Sequence, residues 1–101
     1  MAKKTLREPE KSSKKEATFK ITNELGLHAR AAALFVKVAS AYRSEIIIRK
    51  GNQSVNGKSI MGVLMLAAAR GSEIRVIAQG DDAAQALQEL GRLIERKFGE
   101  A

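Results

Sequence analysis

The hydrophobic period of this chain changes from segment to segment, and those changes limit the folds open to it. Thr18-Phe19-Lys20-Ile21-Thr22 alternates polar and apolar, the two-residue period of a half-buried strand. From Ala29 the apolar residues Ala31, Leu34, Phe35, Val38 and Tyr42 recur at helical spacing in an alanine-rich segment. Residues 45–49 carry the β-branched run Ile46-Ile47-Ile48, and residues 53–56 return after a Gly51-Asn52 turn, so the two read as a hairpin. Ser59 caps a second helix, with apolar Ile60, Val63, Leu64 and Ala67 and a stop at Gly71. Residues 73–79 alternate around Ile74, Val76 and Ala78. Gly80-Asp81-Asp82 then turns the chain and caps a last helix, whose stripe is Ala83, Ala86, Leu87, Leu90, Leu93 and Ile94. The order β-α-β-β-α-β-α predicts an α+β fold, with helices on one face of the sheet and water on the other.

A length of 101 residues suits a single domain. Residues 1–17 hold one Leu, the only Pro and nine charges, too little apolar surface to offset chain entropy. They are expected to form a flexible basic tail, with the folded domain spanning 18–101. The chain has no cysteine and one histidine, which leaves no thiolate site and no set of zinc ligands. No metal or cofactor is expected. No apolar run approaches the roughly 20 residues that span a bilayer, and the N-terminus lacks a signal peptide's apolar core. The expectation is a soluble cytoplasmic protein with no membrane association. Of the net charge of +7, the tail holds six Lys/Arg against three Glu and the rest twelve against eight. A moderately basic body favours acidic partners by electrostatic steering and does not by itself argue for nucleic acid.

Gly26-Leu27-His28-Ala29-Arg30 sets that lone histidine at the mouth of the first helix. A helix start offers unpaired N–H groups and the positive end of a dipole, which together favour an anion. Neutral imidazole is a usable nucleophile near physiological pH. Histidine beside an anion site points to a residue that accepts a phosphoryl group and passes it on.

The motif GLHAR at 26–30, the motif Lys58-Ser59-Ile60-Met61-Gly62 and the element order together resemble the HPr family of phosphocarrier proteins. The resemblance covers the whole chain except the tail. It implies an open-faced β-sandwich, a four-stranded antiparallel sheet with three helices on one face. It also implies that His28 takes a phosphoryl group from an Enzyme I-like donor and gives it to an EIIA-like acceptor. Where most sugar-pathway members have proline after the arginine this chain has Ala31, and HARAAA is similar to the nitrogen-regulatory branch, NPr. Leu25 stands where some members carry a small polar residue.

The site expected from this reading has His28 attacking through Nδ1, with the backbone of Ala29 and Arg30 receiving phosphate oxygens. The Arg30 guanidinium adds charge-assisted hydrogen bonds. No general base is required on the chain itself, because phosphoryl transfer rests on positioning and electrostatics. Ser59 caps its helix and, by the resemblance, is a regulatory phosphorylation site for an HPr serine kinase/phosphorylase. Leu27, Ala33, Lys37, Ile60, Met61 and Leu64 are expected to border the surface on which partners dock, with methionine suited to an adaptable contact. The carrier is expected to be a monomer without independent turnover. Two readings compete: an HPr-like regulatory protein that binds without transfer, and a small basic nucleic-acid-binding module. The second lacks interleaved aromatics and a basic stripe on one helix.

Overall fold

A computed structural model describes residues 13–100. Strand β1 (Lys14–Lys20) leads through a loop to helix α1 (Ala29–Ser40), and β2 (Glu45–Lys50) turns back as β3 (Gln53–Asn56). Helix α2 (Ile60–Met65), strand β4 (Glu73–Gln79) and helix α3 (Ala83–Glu95) follow, and a 3-10 turn over Lys97–Gly99 ends the fold. The sheet order is β1-β4-β2-β3, antiparallel throughout. This is the open-faced arrangement that the family resemblance implied.

Alternation decides which face is covered. Ile46 and Ile48 of β2 and Ile74, Val76 and Ala78 of β4 point into the core, while Glu45, Arg49, Glu73 and Arg75 stay exposed. On α1, Ala31, Phe35 and Ala39 fall four residues apart and are buried. Ala86, Leu90, Leu93 and Ile94 of α3 close the same core. Burying a side chain such as Phe35 or Leu90 contributes about 1.5–3 kcal/mol each. Helix α3 lies tight on β1, where a Cβ on Gly91 would meet the ring of Phe19 at 3.0 Å.

Two boundaries and one cap differ from the sequence reading. The strand begins at Lys14 rather than beyond residue 17, pairing Lys14 with Gln79 and Ala17 with Val76. As an edge strand it is held by backbone hydrogen bonds, so exposed Lys14, Lys15 and Glu16 do not oppose it. The rest of the expected tail, residues 1–12, lies outside the described residues.

Helix α2 stops at Met65 instead of running to Gly71. Ala67 takes a positive φ of 51°, and the next carbonyl, that of Ala68, turns to accept from Leu27 N at 2.9 Å. Lys50 Nζ and Gln53 Nε2 donate to the freed carbonyls of Leu66 and Met65, both at 3.1 Å. Gly71, at φ 91°, serves the turn into β4 and donates to Ile21 O.

Asp82 occupies the position before α3 but makes no side-chain cap. Its carboxylate instead accepts from Ser44 Oγ at 2.6 Å and from the amides of Arg43 and Ser44, tying α3 to the α1–β2 loop. Those bonds, led by the Ser44 hydroxyl, hold its pKa below the ordinary aspartate value.

Candidate functional site

The loop from β1 into α1 is bolted to residues 68 and 69. Gly26 sits at φ 67° with its α-carbon turned toward the Ala68 carbonyl, and Leu27 donates its amide to that oxygen. Gly26 N donates to Asn23 O at 3.1 Å, and Asn23 Nδ2 donates back to Gly26 O at 2.8 Å. The chain therefore reaches His28 in a fixed orientation, extended at φ −78° and ψ −178°.

His28 is the N-cap residue of α1. The first i→i−4 bond of the helix runs from Ala32 N to His28 O at 2.8 Å, so the amides of Ala29, Arg30 and Ala31 precede any intrahelical acceptor. The imidazole does not cap these amides. It is 27% exposed, beside a shallow groove lined by Leu25, Leu27, Ala67, Ala68 and Ala69. The ring, the start of the helix and the first-turn Arg30 thus lie together, as the motif implied.

The far end of the chain joins them. Lys97, Phe98 and Gly99 all take positive φ values, 58°, 56° and 77°, and this left-handed turn buries Phe98 and swings the chain back toward α1. Glu100 Oε2 then lies 2.6 Å from His28 Nε2 and 3.7 Å from the Arg30 guanidinium. Arg30 also donates to Phe98 O at 3.2 Å, and Asn23 Nδ2 donates to Glu100 Oε1 at 3.3 Å. The bond to His28 holds the Glu100 carboxyl below its ordinary pKa against a desolvation penalty, assisted by Asn23 and by smaller electrostatic contributions from His28 and Arg30. Sequence reasoning missed both Asn23 and Glu100. Neither belongs to a spacing pattern, and two non-glycine residues in the left-handed region leave no signature.

Beside the ring, Leu25 is 67% exposed. Ile60, Met61 and Met65 of α2 are exposed as well, Met61 at 69%. Leu64 is half-buried, and Ala33 and Lys37 lie exposed on α1. Leu27 is a correction: at 4% exposure it belongs to the core, so a partner cannot reach it. Loop closure onto Ala68 turns its side chain inward. Ser59 caps α2 as expected, its Oγ accepting from Gly62 N at 3.0 Å. Lys58 donates through Nζ to Tyr42 O at 2.7 Å, fastening the start of α2 to the end of α1. Among the described residues no group of three His, Asp or Glu is placed to hold a metal ion, and no helix is long and apolar enough to cross a membrane.

Comparison with known proteins is consistent across sequence and structure. Residues 15–96 match the family described as PTS HPr component phosphorylation site. A relative named Phosphocarrier protein HPr from Neisseria meningitidis serogroup A is 48% identical over 83 residues, 82% of this chain and 93% of the relative. The crystal structure of HPr-C-His from Thermoanaerobacter tengcongensis superposes with a TM-score of 0.84 at 49% identity, covering 86% of this chain and 98% of that one. A crystal structure of an HPr dimer from the same organism matches with a TM-score of 0.70 at 50% identity, covering 85% and 99%.

Proposed function

This chain belongs to the HPr family of phosphocarrier proteins, and we propose that it carries its phosphoryl group on His28. As a phosphocarrier of the phosphotransferase system it relays a group between proteins and is not itself an enzyme. The observation that carries the His28 assignment is a partly exposed imidazole at the N-cap of α1, beside amides that have no intrahelical acceptor. A phosphoryl group there brings about −2 charge near neutral pH. The amides of Ala29 and Arg30 and the positive end of the helix dipole would receive it. Arg30, two residues beyond His28 and 55% exposed, is free to pivot from the Phe98 carbonyl onto a phosphate oxygen.

Donor and acceptor are an Enzyme I-like protein and an EIIA-like protein, each presenting its own phosphorylatable side chain. Both dock, in this reading, on the apolar surface formed by Leu25, Ile60, Met61, Leu64 and Met65, with Ala33 and Lys37 at its border. One surface used in turn by two partners suits brief, modest interfaces and a monomeric cytoplasmic carrier. Alanine at position 31, in the run HARAAA, supports a role in the nitrogen-regulatory branch. Phosphorylation of Ser59 by an HPr serine kinase/phosphorylase would put a dianion at the edge of that same surface and weaken docking.

Incubating the protein with phosphoenolpyruvate and an Enzyme I, then measuring acid-labile phosphate, tests the assignment. Wild type is labelled and His28→Ala is not; undiminished labelling of His28→Ala would place the group elsewhere.

A further inference from the structure

We propose that Glu100, itself held by Asn23, is a positioning residue that keeps a proton on His28 Nε2 and so leaves the Nδ1 lone pair free for phosphorus. The proposal rests on His28 being the phosphoryl acceptor and adds a second, distant part of the chain to the reaction.

The geometry leaves little choice of proton placement. An ionised carboxylate has lone pairs and no proton, so it only accepts. The 2.6 Å contact between Glu100 Oε2 and His28 Nε2 is therefore Nε2–H donating to oxygen. A neutral imidazole protonated at Nε2 carries its lone pair on Nδ1, and Nδ1 has no hydrogen-bond partner among the described residues. The lowered pKa of Glu100 agrees with a carboxylate ionised at neutral pH.

Asn23 supports the carboxylate from behind. Its side chain is 1% exposed, and Nδ2 donates both to Gly26 O at 2.8 Å and to Glu100 Oε1 at 3.3 Å. Oδ1 is buried without a partner. Exchanging Oδ1 and Nδ2 would set an acceptor against two acceptors, so the amide is fixed in the orientation that grips Glu100. One residue thus joins the loop that delivers His28 to the carboxylate that orients it.

The charges balance through both transfers. As the Nδ1–P bond forms, the donor's bond to phosphorus breaks and the donor keeps that electron pair. The His28 ring becomes positive while its proton stays on Nε2, facing the Glu100 carboxylate. On the way out the Nδ1–P pair returns to the ring, which departs as neutral imidazole because Nε2 still bears its proton. Without that proton the leaving group would be imidazolate, a far poorer one. Glu100 is placed to stabilise the charge that appears on the ring, in the manner of an oriented carboxylate–histidine pair.

The test uses the full chain, Glu100→Ala and Glu100→Gln. Nitrogen-15 NMR of the ring near neutral pH and above reports the tautomer, and Enzyme I-driven labelling reports the rate. Wild type is expected almost entirely Nε2–H, and Glu100→Ala a mixture of tautomers labelled about tenfold more slowly, the loss expected for one charge-assisted hydrogen bond. Glu100→Gln, whose amide oxygen still accepts, is expected to keep the tautomer yet label slowly. Identical ring shifts and identical labelling rates in wild type and Glu100→Ala would overturn the proposal. Labelling of His28→Ala would instead remove the premise, a distinguishable failure.

Discussion

Gly26 approaches the carbonyl oxygen of Ala68 so closely that a Cβ at this position would stand 2.6 Å from it. The oxygen cannot retreat, because it already accepts the Leu27 amide. Gly26→Ala therefore meets a steric clash and a positive φ of 67° at once. It is expected to lose about 2 kcal/mol or more of stability in urea unfolding, and to slow labelling at His28 even where the domain remains folded. Gly51, at φ 59° with open space around its α-carbon, supplies the control: Gly51→Ala carries the backbone strain alone and leaves labelling unchanged.

Leu27 and Met61 were expected to share a docking role, and the structure separates them. Leu27→Ala empties part of the core and is expected to destabilise by about 2–5 kcal/mol. Met61→Ala removes an exposed side chain and is expected to change stability by less than about 0.5 kcal/mol. Its effect should appear as a raised KM for Enzyme I. Chemical denaturation and labelling at varied carrier concentration, run on both variants, check the two expectations together.

The Asp82 carboxylate makes folding sensitive to acid. Its folded pKa is depressed chiefly by the Ser44 hydroxyl, so its contribution is fully present above the unfolded value of about 4 and fades as pH falls through the folded value. Asp82→Asn is expected to lower stability at pH 7 and to flatten the acid limb of the stability profile below about pH 4. Thermal unfolding of both proteins from pH 2 to pH 7 measures the difference, and parallel acid limbs would exclude Asp82 as its source.

Ser59→Ala removes the oxygen that accepts from Gly62 N and is expected to cost about 1 kcal/mol. The same variant should be refractory to an HPr serine kinase. Intact mass after incubation with such a kinase reads this directly, with a single added phosphate on wild type as the expected result.

The sequence exposed most of the scaffold and one half of the centre. Ile46-Ile47-Ile48 is a β-branched run and residues 73–79 alternate, both fitting strands, while Ala31, Leu34, Phe35, Val38 and Tyr42 recur at helical spacing. His28 and Arg30 were visible because their motif is contiguous. What stayed hidden depends on contacts between distant residues. The end of α2 follows from the Ala68 carbonyl turning to Leu27, although Ala67 continues the helical spacing. The start of β1 follows from pairing with β4, although its residues look like a tail. Glu100 reaches His28 only because Lys97 and Phe98 adopt a backbone conformation that their side chains disfavour.

That left-handed turn has a practical side for anyone handling the molecule. Ser13 accepts from Gly80 at the end of β1 remote from Lys20, roughly a seven-residue strand, or about 20 Å, away from the loop that bears the imidazole. The opposite terminus threads into the reactive corner itself, with Glu100 already seated on the ring. An affinity tag or fluorophore joined behind Glu100 sits at the doorway of any visiting protein. Assays of relay speed therefore belong on material that carries no label behind Glu100.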